Sequence, residues 1–269
     1  MDLGLTNQIV AVVGGAQGIG YAIAQEFAQE GASVAITDLK STVVDSAAAI
    51  AHQSNVPAIG LTADVTDYAA MCSAASQIEA NFGPVDHLVY AAGIGSGKTG
   101  FPFWNIEPHE WAKVLEVCLI GAVNTVHAFK DPMLERQSGT ILFLTSVAGQ
   151  IGSQTDPPYS AAKAGMINFM QCAAKDMAPY DIRVNSINPG MVDTELSKRI
   201  HAGSNLTLAE AEQTTYDEWA SAKQEKVIPL RRWQTPEDIA GMAVFVASKR
   251  GNNITGQAIN VDGGFVMHS

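Results

Sequence analysis

The chain has 269 residues, of which 47% are hydrophobic, and a formal net charge of −11 at pH 7. This length suits one large α/β domain with a substantial core. The acidic charge argues against a nucleic-acid partner, because binding phosphates requires clustered Lys and Arg.

Strand and helix patterns alternate along the chain, which predicts parallel βαβ units. Strands are predicted near residues 9–13, 33–37, 57–63, 86–91, 139–145, 182–188 and 257–261. Helices are predicted near residues 18–30, 41–54, 67–82, 108–135, 158–178 and 236–248. The pattern predicts an α/β fold in a single domain over 1–269: a Rossmann-like, doubly wound parallel sheet of seven strands with helices on both faces.

The stretch from about 193 to 230 is irregular. It is polar, carries Ala, Glu, Gln and Thr at helical spacing, and ends in Ile228-Pro229-Leu230. One interpretation is a static pair of surface helices. The other is a lid over a substrate pocket, which would exclude water from the reaction.

A Gly-rich segment, Gly14-Gly15-Ala16-Gln17-Gly18-Ile19-Gly20, links the first apolar strand to the first helix. Free N–H groups at a helix N-terminus and the helix dipole attract a diphosphate there. Glycines let the backbone approach the phosphates and let the helix pack against the strand. The segment therefore indicates a dinucleotide site, with an ordinary tight turn as the alternative.

Asp38 ends the second strand, about twenty residues past the glycines. A carboxylate there accepts hydrogen bonds from both adenosine ribose hydroxyls and repels a 2′-phosphate. No Arg or Lys lies in the Gly-rich segment, although Lys40 is nearby. We therefore expect NAD rather than NADP; the alternative is a solvated carboxylate at a strand end.

Tyr159 and Lys163 form a Tyr-x-x-x-Lys motif, and Ser146 lies thirteen positions before the Tyr. A spacing of four places the two side chains on one helix face. We expect the Lys ammonium to favour the phenolate and lower the phenol pKa, so that it exchanges a proton with an alcohol or carbonyl. The motif is also common on helix surfaces. A catalytic role is therefore indicated only because the Gly-rich nucleotide segment occurs in the same chain.

With these motifs in order, the chain resembles the short-chain dehydrogenase/reductase family nearly end to end. Asp64-Val65, Ala92-Gly93 and Asn188-Pro189-Gly190, followed by Val192 and Thr194, are similar to its remaining segments. The resemblance implies that NAD is bound by Gly14, Gln17, Gly18, Ile19, Gly20, Asp38, Leu39, Asp64, Val65, Ala92, Gly93, Tyr159, Lys163, Pro189, Gly190, Val192 and Thr194.

The resemblance also implies the activity: hydride transfer between NAD(H) and a secondary alcohol or ketone. Ser146 would orient the substrate oxygen, Tyr159 would exchange its proton, and Lys163 would stabilise the phenolate and hold the nicotinamide ribose. In this family the insertion at 193–230 closes over the substrate, and two-fold paired helices assemble a homotetramer.

The substrate is less clearly indicated. Gln150 and Gln154 suit a hydroxylated substrate such as a sugar, polyol or hydroxy acid, and Met191 is also expected in the pocket. An apolar pocket for a bulkier ketone is the alternative; Phe103, Trp104, Met191 and Trp219 would line it. Lys98, Arg199 and His201 are further candidates, in this case for binding a carboxylate.

Four residues at three places depart from the family pattern. Val13 replaces the usual Thr, Tyr90-Ala91 replaces the usual Asn-Asn, and Cys118 stands where the family has a catalytic Asn. Cys cannot supply the amide's hydrogen bonds. A silent nucleotide-binding scaffold is therefore an alternative to an enzyme, although Ser146, Tyr159 and Lys163 argue against it.

A nucleoside triphosphatase is a further alternative, because residues 92–99 match a relaxed phosphate-binding loop. That loop must open directly into a helix, and here an aromatic, Pro-containing segment follows it.

The three cysteines, Cys72, Cys118 and Cys172, lack the spacing of a metal site or a disulfide framework. We expect no metal and a cytoplasmic location. The N-terminus shows no signal-peptide pattern, and no apolar run is expected to be long enough to span a membrane.

Overall fold

A computed structural model describes residues 2–98, 102–206 and 208–267. Within them lie the strands β1 Ile9–Val13, β2 Ser33–Asp38, β3 Ala58–Thr62, β4 His87–Tyr90, β5 Gly139–Leu144, β6 Ile182–Pro189 and β7 Ala258–Val261. The helices are α1 Gly18–Gln29, α2 Val43–Ser54, α3 Tyr68–Phe82, α4 Pro108–Leu115, α5 Gly121–Arg136, α6 Pro157–Met177, α7 Glu195–Asn205, α8 Tyr216–Val227 and α9 Pro236–Ala247.

The strands form one parallel sheet of seven strands among the described residues, in the order β3-β2-β1-β4-β5-β6-β7. The predicted fold is therefore confirmed, and element ends differ from the predicted ones by about two residues or fewer, as is usual. β1 pairs with β2 on one side and with β4 on the other, so the winding reverses there. A doubly wound sheet has its crevice at this reversal, outside the carboxyl ends of the strands.

Alternating residues of β1 supply the two layers of the core. Val10 and Val12 face the layer that contains α1 and α9, whereas Ala11 and Val13 face the layer of α3, α5 and α6. Because side chains alternate across a strand, a sheet covered on both faces has apolar residues at every position. The two layers hold the strand ends, and thus the crevice, in place.

The predicted helix at 108–135 is continuous but contains a turn of π-helix, Glu116–Ile120, between α4 and α5. Such turns occur often at functional sites. By length and composition alone, Pro108–Arg136 is able to cross a membrane, so the expectation of no such run was wrong. The helix packs in the core through Val114, Cys118 and Ala122, and a core helix passes the same test.

The irregular stretch at 193–230 holds α7 and α8. An aromatic cluster of His201, Tyr216, Trp219 and Trp233 joins them to the chain that follows, with ring centroids 5.6–6.2 Å apart. The Tyr216 hydroxyl also donates to Asp193 Oδ1, at 2.9 Å. The two helices thus form one packed unit at the end of β6.

His87 predicts an acid-dependent loss of stability. Its ring is buried and contacts Thr140 Oγ1 at 2.7 Å and Gln8 Oε1, and burial lowers its pKa to about 4. The unfolded pKa is about 6.5, so the folded state binds the proton less well. This contribution is fully present above pH 6.5, and about 3 kcal/mol of it is lost as the pH falls to 4.

Urea unfolding at pH 7 and pH 4.5 measures the effect of His87. His87→Gln is expected to lose less unfolding free energy between the two pH values than the wild type. His52, which is exposed in the last turn of α2, gives the matched control His52→Gln. Equal acid losses in wild type and His87→Gln would show that another group carries the effect.

Candidate active site

Ser146, Tyr159 and Lys163 come together at the carboxyl end of β5. Ser146 caps the 3₁₀ turn Val147–Gly149, and its Oγ accepts from the Ala148 N–H at 3.1 Å. Tyr159 and Lys163 lie one turn apart on α6. The Ser146 hydroxyl is close enough to the Tyr159 phenol to lower its pKa. The fold thus brings together a hydroxyl and a phenol that can both reach one substrate oxygen.

Lys163 is a buried cation beside the phenol. Its side chain is 2% exposed, its Nζ donates to the Leu144 carbonyl at 2.7 Å, and it lies 5.4 Å from the Tyr159 ring centroid. A Cβ on Gly93 would stand 3.3 Å from this Nζ. The ammonium therefore sits between the ends of β4 and β5, below the Tyr159 ring.

The expected lowering of the Tyr159 pKa was wrong for this structure. Burial of the phenol raises its pKa above the ordinary value, and the hydrogen bond from Ser146 offsets this only in part. Lys163 donates to a carbonyl rather than to the phenol, and burial lowers its own pKa. Desolvation opposes both charged forms, so it outweighs the attraction between them.

The Gly-rich segment is closely packed and leaves the N-terminus of α1 uncapped. A Cβ on Gly14 would stand 2.5 Å from the Ala92 nitrogen, and one on Gly20 would stand 2.1 Å from the Gly14 carbonyl oxygen. The segment therefore packs directly against β4 and α1. No side chain caps the N-terminus of α1, and its first turn has no acidic residue. Its N–H groups are therefore suited to a diphosphate. Gln17 and Ile19 flank Gly18, whose φ is +58°.

Asp38 lies beside this segment at the end of β2. Its Oδ2 accepts from the Ala16 N–H at 3.1 Å and its Oδ1 accepts from the Lys40 N–H at 3.0 Å. These bonds orient the carboxylate and leave it further acceptor capacity. Lys40 Nζ donates to Gln17 Oε1 at 2.6 Å, and Leu39 is 68% exposed between them.

The residues expected at the adenine follow β3. The Asp64 carboxylate accepts from the Thr66 N–H at 2.9 Å and from its hydroxyl at 2.8 Å, and these bonds lower its pKa. Asn124 on α5 donates to the Val65 carbonyl at 3.0 Å. Asp64 and Val65 are thus held in place at the same edge of the sheet as Asp38.

The remaining cofactor candidates follow β4 and β6. Ala92 and Gly93 end β4 opposite the Gly-rich segment. A Cβ on Gly190 would stand 2.7 Å from the Asp262 Cβ, so the turn after Pro189 leaves no room for a side chain. Val192 pairs with Gln234, and Thr194 caps α7.

A buried network beneath this edge was not predicted. The Thr145 hydroxyl donates to the Ile187 carbonyl at 3.0 Å and contacts Asn188 Oδ1. Asn188 Nδ2 donates to Asn260 Oδ1 at 2.9 Å across β6 and β7. The network ties the residue before Ser146 to the Asn-Pro-Gly segment, so it holds catalytic and cofactor candidates in one register.

The substrate candidates are only partly brought together. Gln150 Oε1 is buried without a hydrogen-bond partner among the described residues, next to the Ser146 turn. Met191 is half-buried at the end of β6, whereas Gln154 is exposed.

The side chains expected to line an apolar pocket do not converge. Phe103 and Trp104 are 62% and 68% exposed and pack on each other, while Trp219 belongs to the aromatic cluster. The apolar pocket for a bulkier ketone therefore stays a prediction. Of the carboxylate candidates, Lys98 is paired with Glu110 at 2.7 Å, and His201 contacts the Thr214 carbonyl.

The segment that resembles a phosphate-binding loop is irregular over residues 92–98, and Thr99 lies outside the described residues. α4 begins only at Pro108. No helix N-terminus therefore directly follows the described part of this loop, as a triphosphatase would require.

Tyr90 and Cys118 show how the departures are accommodated. The Tyr90 hydroxyl donates to the Val117 carbonyl in the π-helical turn, at 2.5 Å. Cys118 is fully buried in that turn. Its Sγ donates to the Ile94 carbonyl at 3.4 Å and accepts from the Ile94 N–H at 3.5 Å. The thiol thus makes a weaker version of the paired contacts that an amide can make.

We predict that Cys118→Asn folds and remains active, with kcat changed by less than about tenfold, or ~1.4 kcal/mol of barrier. The reason is that both Ile94 contacts suit an amide and the Lys163 contact to Leu144 does not involve Cys118. Steady-state kinetics measures the change, with Cys172→Asn on the exposed face of α6 as the control. A wild type inert toward every carbonyl and switched on by Cys118→Asn would favour the silent scaffold.

The known proteins that this chain resembles in the comparisons below are reductases. Residues 14–266 match the family model described as enoyl-(acyl carrier protein) reductase. The chain is 35% identical to an acetoacetyl-CoA reductase of Synechocystis over 264 residues, covering 98% of each. It is 28% identical to the 5-keto-D-gluconate 5-reductase of Escherichia coli K12, covering 98% of this chain and 97% of that protein. The structure of L-sorbose reductase from Gluconobacter frateurii, complexed with NADPH and L-sorbose, superposes with a TM-score of 0.90 at 25% identity over the whole of both chains.

Proposed function

Since the chain belongs to the short-chain dehydrogenase/reductase family of oxidoreductases, we propose that it transfers a hydride between NAD(H) and a secondary alcohol or ketone. The substrate we propose is small and hydroxylated: a sugar, a polyol or a hydroxy acid. The convergence of Ser146, Tyr159 and Lys163 beside the Gly-rich segment is the observation that carries this proposal.

The chemistry follows from the geometry of these three side chains. Ser146 donates to the substrate oxygen and orients it toward the phenol. Tyr159 takes the alcohol proton during oxidation and returns it during reduction. Lys163 stabilises the phenolate by its charge, and its position below the ring suits a contact to the nicotinamide ribose. NAD, when bound, supplies the hydride acceptor.

The Gly-rich segment and the sheet edge do the positioning. The N-terminus of α1 would hold the diphosphate, and Gly190 and Thr194 would hold the nicotinamide end. Tight packing of Gly14 and Gly20 makes the backbone rigid there. A rigid site lowers the entropic cost of aligning substrate and cofactor. We also propose that α7 and α8 cover the substrate during the reaction.

Assaying NADH-dependent reduction of a panel of hydroxyketones, with loss of absorbance read as turnover, tests the proposed function. Turnover of at least one hydroxyketone, dependent on Tyr159, is expected. A protein that binds NADH but reduces no carbonyl would instead be the silent scaffold. Preference for a bulkier apolar ketone would point to the alternative substrate class. The half-buried Met191 would then contact the apolar part of that ketone.

We predict that kcat/KM is at least ~tenfold higher with NADH than with NADPH, because Asp38 repels a 2′-phosphate and hydrogen bonds to charged groups are worth about 1.5–3 kcal/mol. Asp38→Ala should narrow this ratio, mainly through a lower KM for NADPH. The solved L-sorbose reductase contains NADPH. Measuring kcat/KM with both cofactors therefore decides whether this chain differs from that protein in its cofactor preference.

Lys40 provides a second variant for the measurement of cofactor preference. Its Nζ donates to Gln17 Oε1 in the Gly-rich segment, and its backbone N–H donates to Asp38, so its positive charge would lie near a 2′-phosphate bound there. Lys40→Met should therefore weaken the binding of NADPH more than the binding of NADH. Equal or better efficiency of the wild type with NADPH would contradict the assignment of NAD.

We propose a homotetramer in the cytoplasm. Ile120 is 49% exposed on the 108–136 helix and Phe245 is 38% exposed on α9, so both helices present apolar surface outside the core. In the proposed tetramer these helices would pair with their copies about two-fold axes and cover such side chains. The three cysteines are free, as a reducing compartment requires.

A further inference from the structure

Asp156 is a carboxylate that the chemistry above does not use. It caps α6 three residues before Tyr159. Its Oδ2 accepts from the Ser96 N–H at 2.7 Å, and its Oδ1 accepts from the Tyr159 N–H at 3.4 Å. A Cβ on Gly95 would stand 2.7 Å from Oδ2. Asp156 thus joins the loop after β4 to the first turn of the helix that carries the phenol.

This carboxylate has no cationic partner among residues 2–98, 102–206 and 208–267. Lys98, on the same loop as Ser96, is paired with Glu110 at 2.7 Å. Lys163 donates its ammonium to the Leu144 carbonyl. Partial burial raises the pKa of Asp156, and its negative charge also raises the pKa of Tyr159. The carboxylate therefore stands at the N-terminus of α6, one turn before the phenol of Tyr159 and against the loop after β4.

We propose that Asp156 is a specificity-determining residue that excludes anions from the substrate pocket, so that the substrate is an uncharged hydroxylated ketone or alcohol. This inference rests on the proposed function and narrows it by removing the hydroxy acids. A second anion beside an unpaired, partly buried carboxylate meets like-charge repulsion. Neutral hydroxyls suffer no such repulsion, and the carboxylate is able to accept hydrogen bonds from them.

Two ketones make a matched test. L-sorbose and 5-keto-D-gluconate share their carbon skeleton and keto group, and differ in a terminal CH₂OH against a carboxylate. For the wild type with NADH, kcat/KM should be at least ~tenfold higher for L-sorbose, as expected for repulsion of about 1.4 kcal/mol or more. Asp156→Asn removes the charge and keeps one of the two oxygens that accept from the Ser96 and Tyr159 N–H groups. It should narrow the ratio at least fivefold, mainly by lowering KM for 5-keto-D-gluconate.

Asp67→Asn is the matched control. Asp67 caps α3 in the same way, accepting from the Ala69 and Ala70 N–H groups. Asp67→Asn therefore removes one negative charge from a helix N-cap, as Asp156→Asn does, but leaves Asp156 in place. The ratio should stay at the wild-type value. Asp156→Ser, which also retains a capping oxygen, should behave like Asp156→Asn if charge rather than amide geometry is responsible.

A wild type that reduces both ketoses equally well would support the proposed oxidoreductase function and overturn the role of Asp156. An unchanged ratio in Asp156→Asn would overturn it too. If neither ketose is turned over, calorimetry of both with the NADH complex decides: tighter binding of L-sorbose that depends on Asp156 supports the inference, and equal or absent binding overturns it. Failure to reduce any carbonyl would contradict the proposed function itself.

Discussion

Tyr159→Phe is expected to lower kcat for alcohol oxidation and ketone reduction by at least about 10²-fold, with the NADH dissociation constant nearly unchanged. General acid–base catalysis by a positioned side chain contributes about 10²–10⁴-fold. The phenol hydroxyl is the proposed proton donor and acceptor, whereas the ring packs against the core.

Steady-state kinetics and a fluorescence titration with NADH measure the two quantities separately for Tyr159→Phe. Tyr180, 41% exposed just after α6, supplies the matched control Tyr180→Phe, which should leave both unchanged. A Tyr159→Phe enzyme that keeps more than about a tenth of the wild-type rate would contradict a proton-transfer role of that size.

Lys163→Ala is expected to lose both functions: turnover by at least about 10²-fold, and NADH affinity by at least about tenfold, or ~1.4 kcal/mol. The ammonium is buried below the Tyr159 ring and donates to the Leu144 carbonyl. Its loss removes the positive charge that favours the phenolate. It also removes the donor placed to hold the nicotinamide ribose.

Removing a buried side chain also weakens the fold, so Lys163 needs two further variants. Lys163→Met fills most of the volume and should lose turnover and affinity without a large fall in unfolding temperature. Lys175→Ala, in the exposed last turn of the same helix, should change neither. Normal NADH binding by a folded Lys163→Met would remove the ribose contact from the mechanism.

The fold and the order of the motifs could be predicted because they depend on local patterns. The apolar run before Gly14, the glycines at close spacing and the helical repeat after Gly18 predict a strand, a turn and a helix without reference to the rest of the chain. The spacing of Tyr159 and Lys163 predicts a shared helix face for the same reason. Seven such strands then follow the rules for parallel sheets.

Other features depend on residues far apart in the chain. The π-helical turn at Glu116–Ile120 accommodates Cys118, and Tyr90 bonds to it across the sheet edge. In the sequence, Tyr90 and Cys118 are visible only as lost polar groups. Their contacts to Val117 and Ile94 appear once β4 and the long helix are packed together.

The sequence by itself determined the fold class, the dinucleotide segment and the identity of the three catalytic candidates, because each is encoded in periodicity or in a short spacing. The tertiary structure alone decided the electrostatics of the site. Burial reversed the expected direction of the Tyr159 pKa, and the packing of the loop after β4 on α6 gave Asp156 the Ser96 and Tyr159 N–H groups as hydrogen-bond donors. Desolvation and charge–charge interactions depend on burial and on distances in space. The spacing of residues in the sequence gives neither the burial nor these distances.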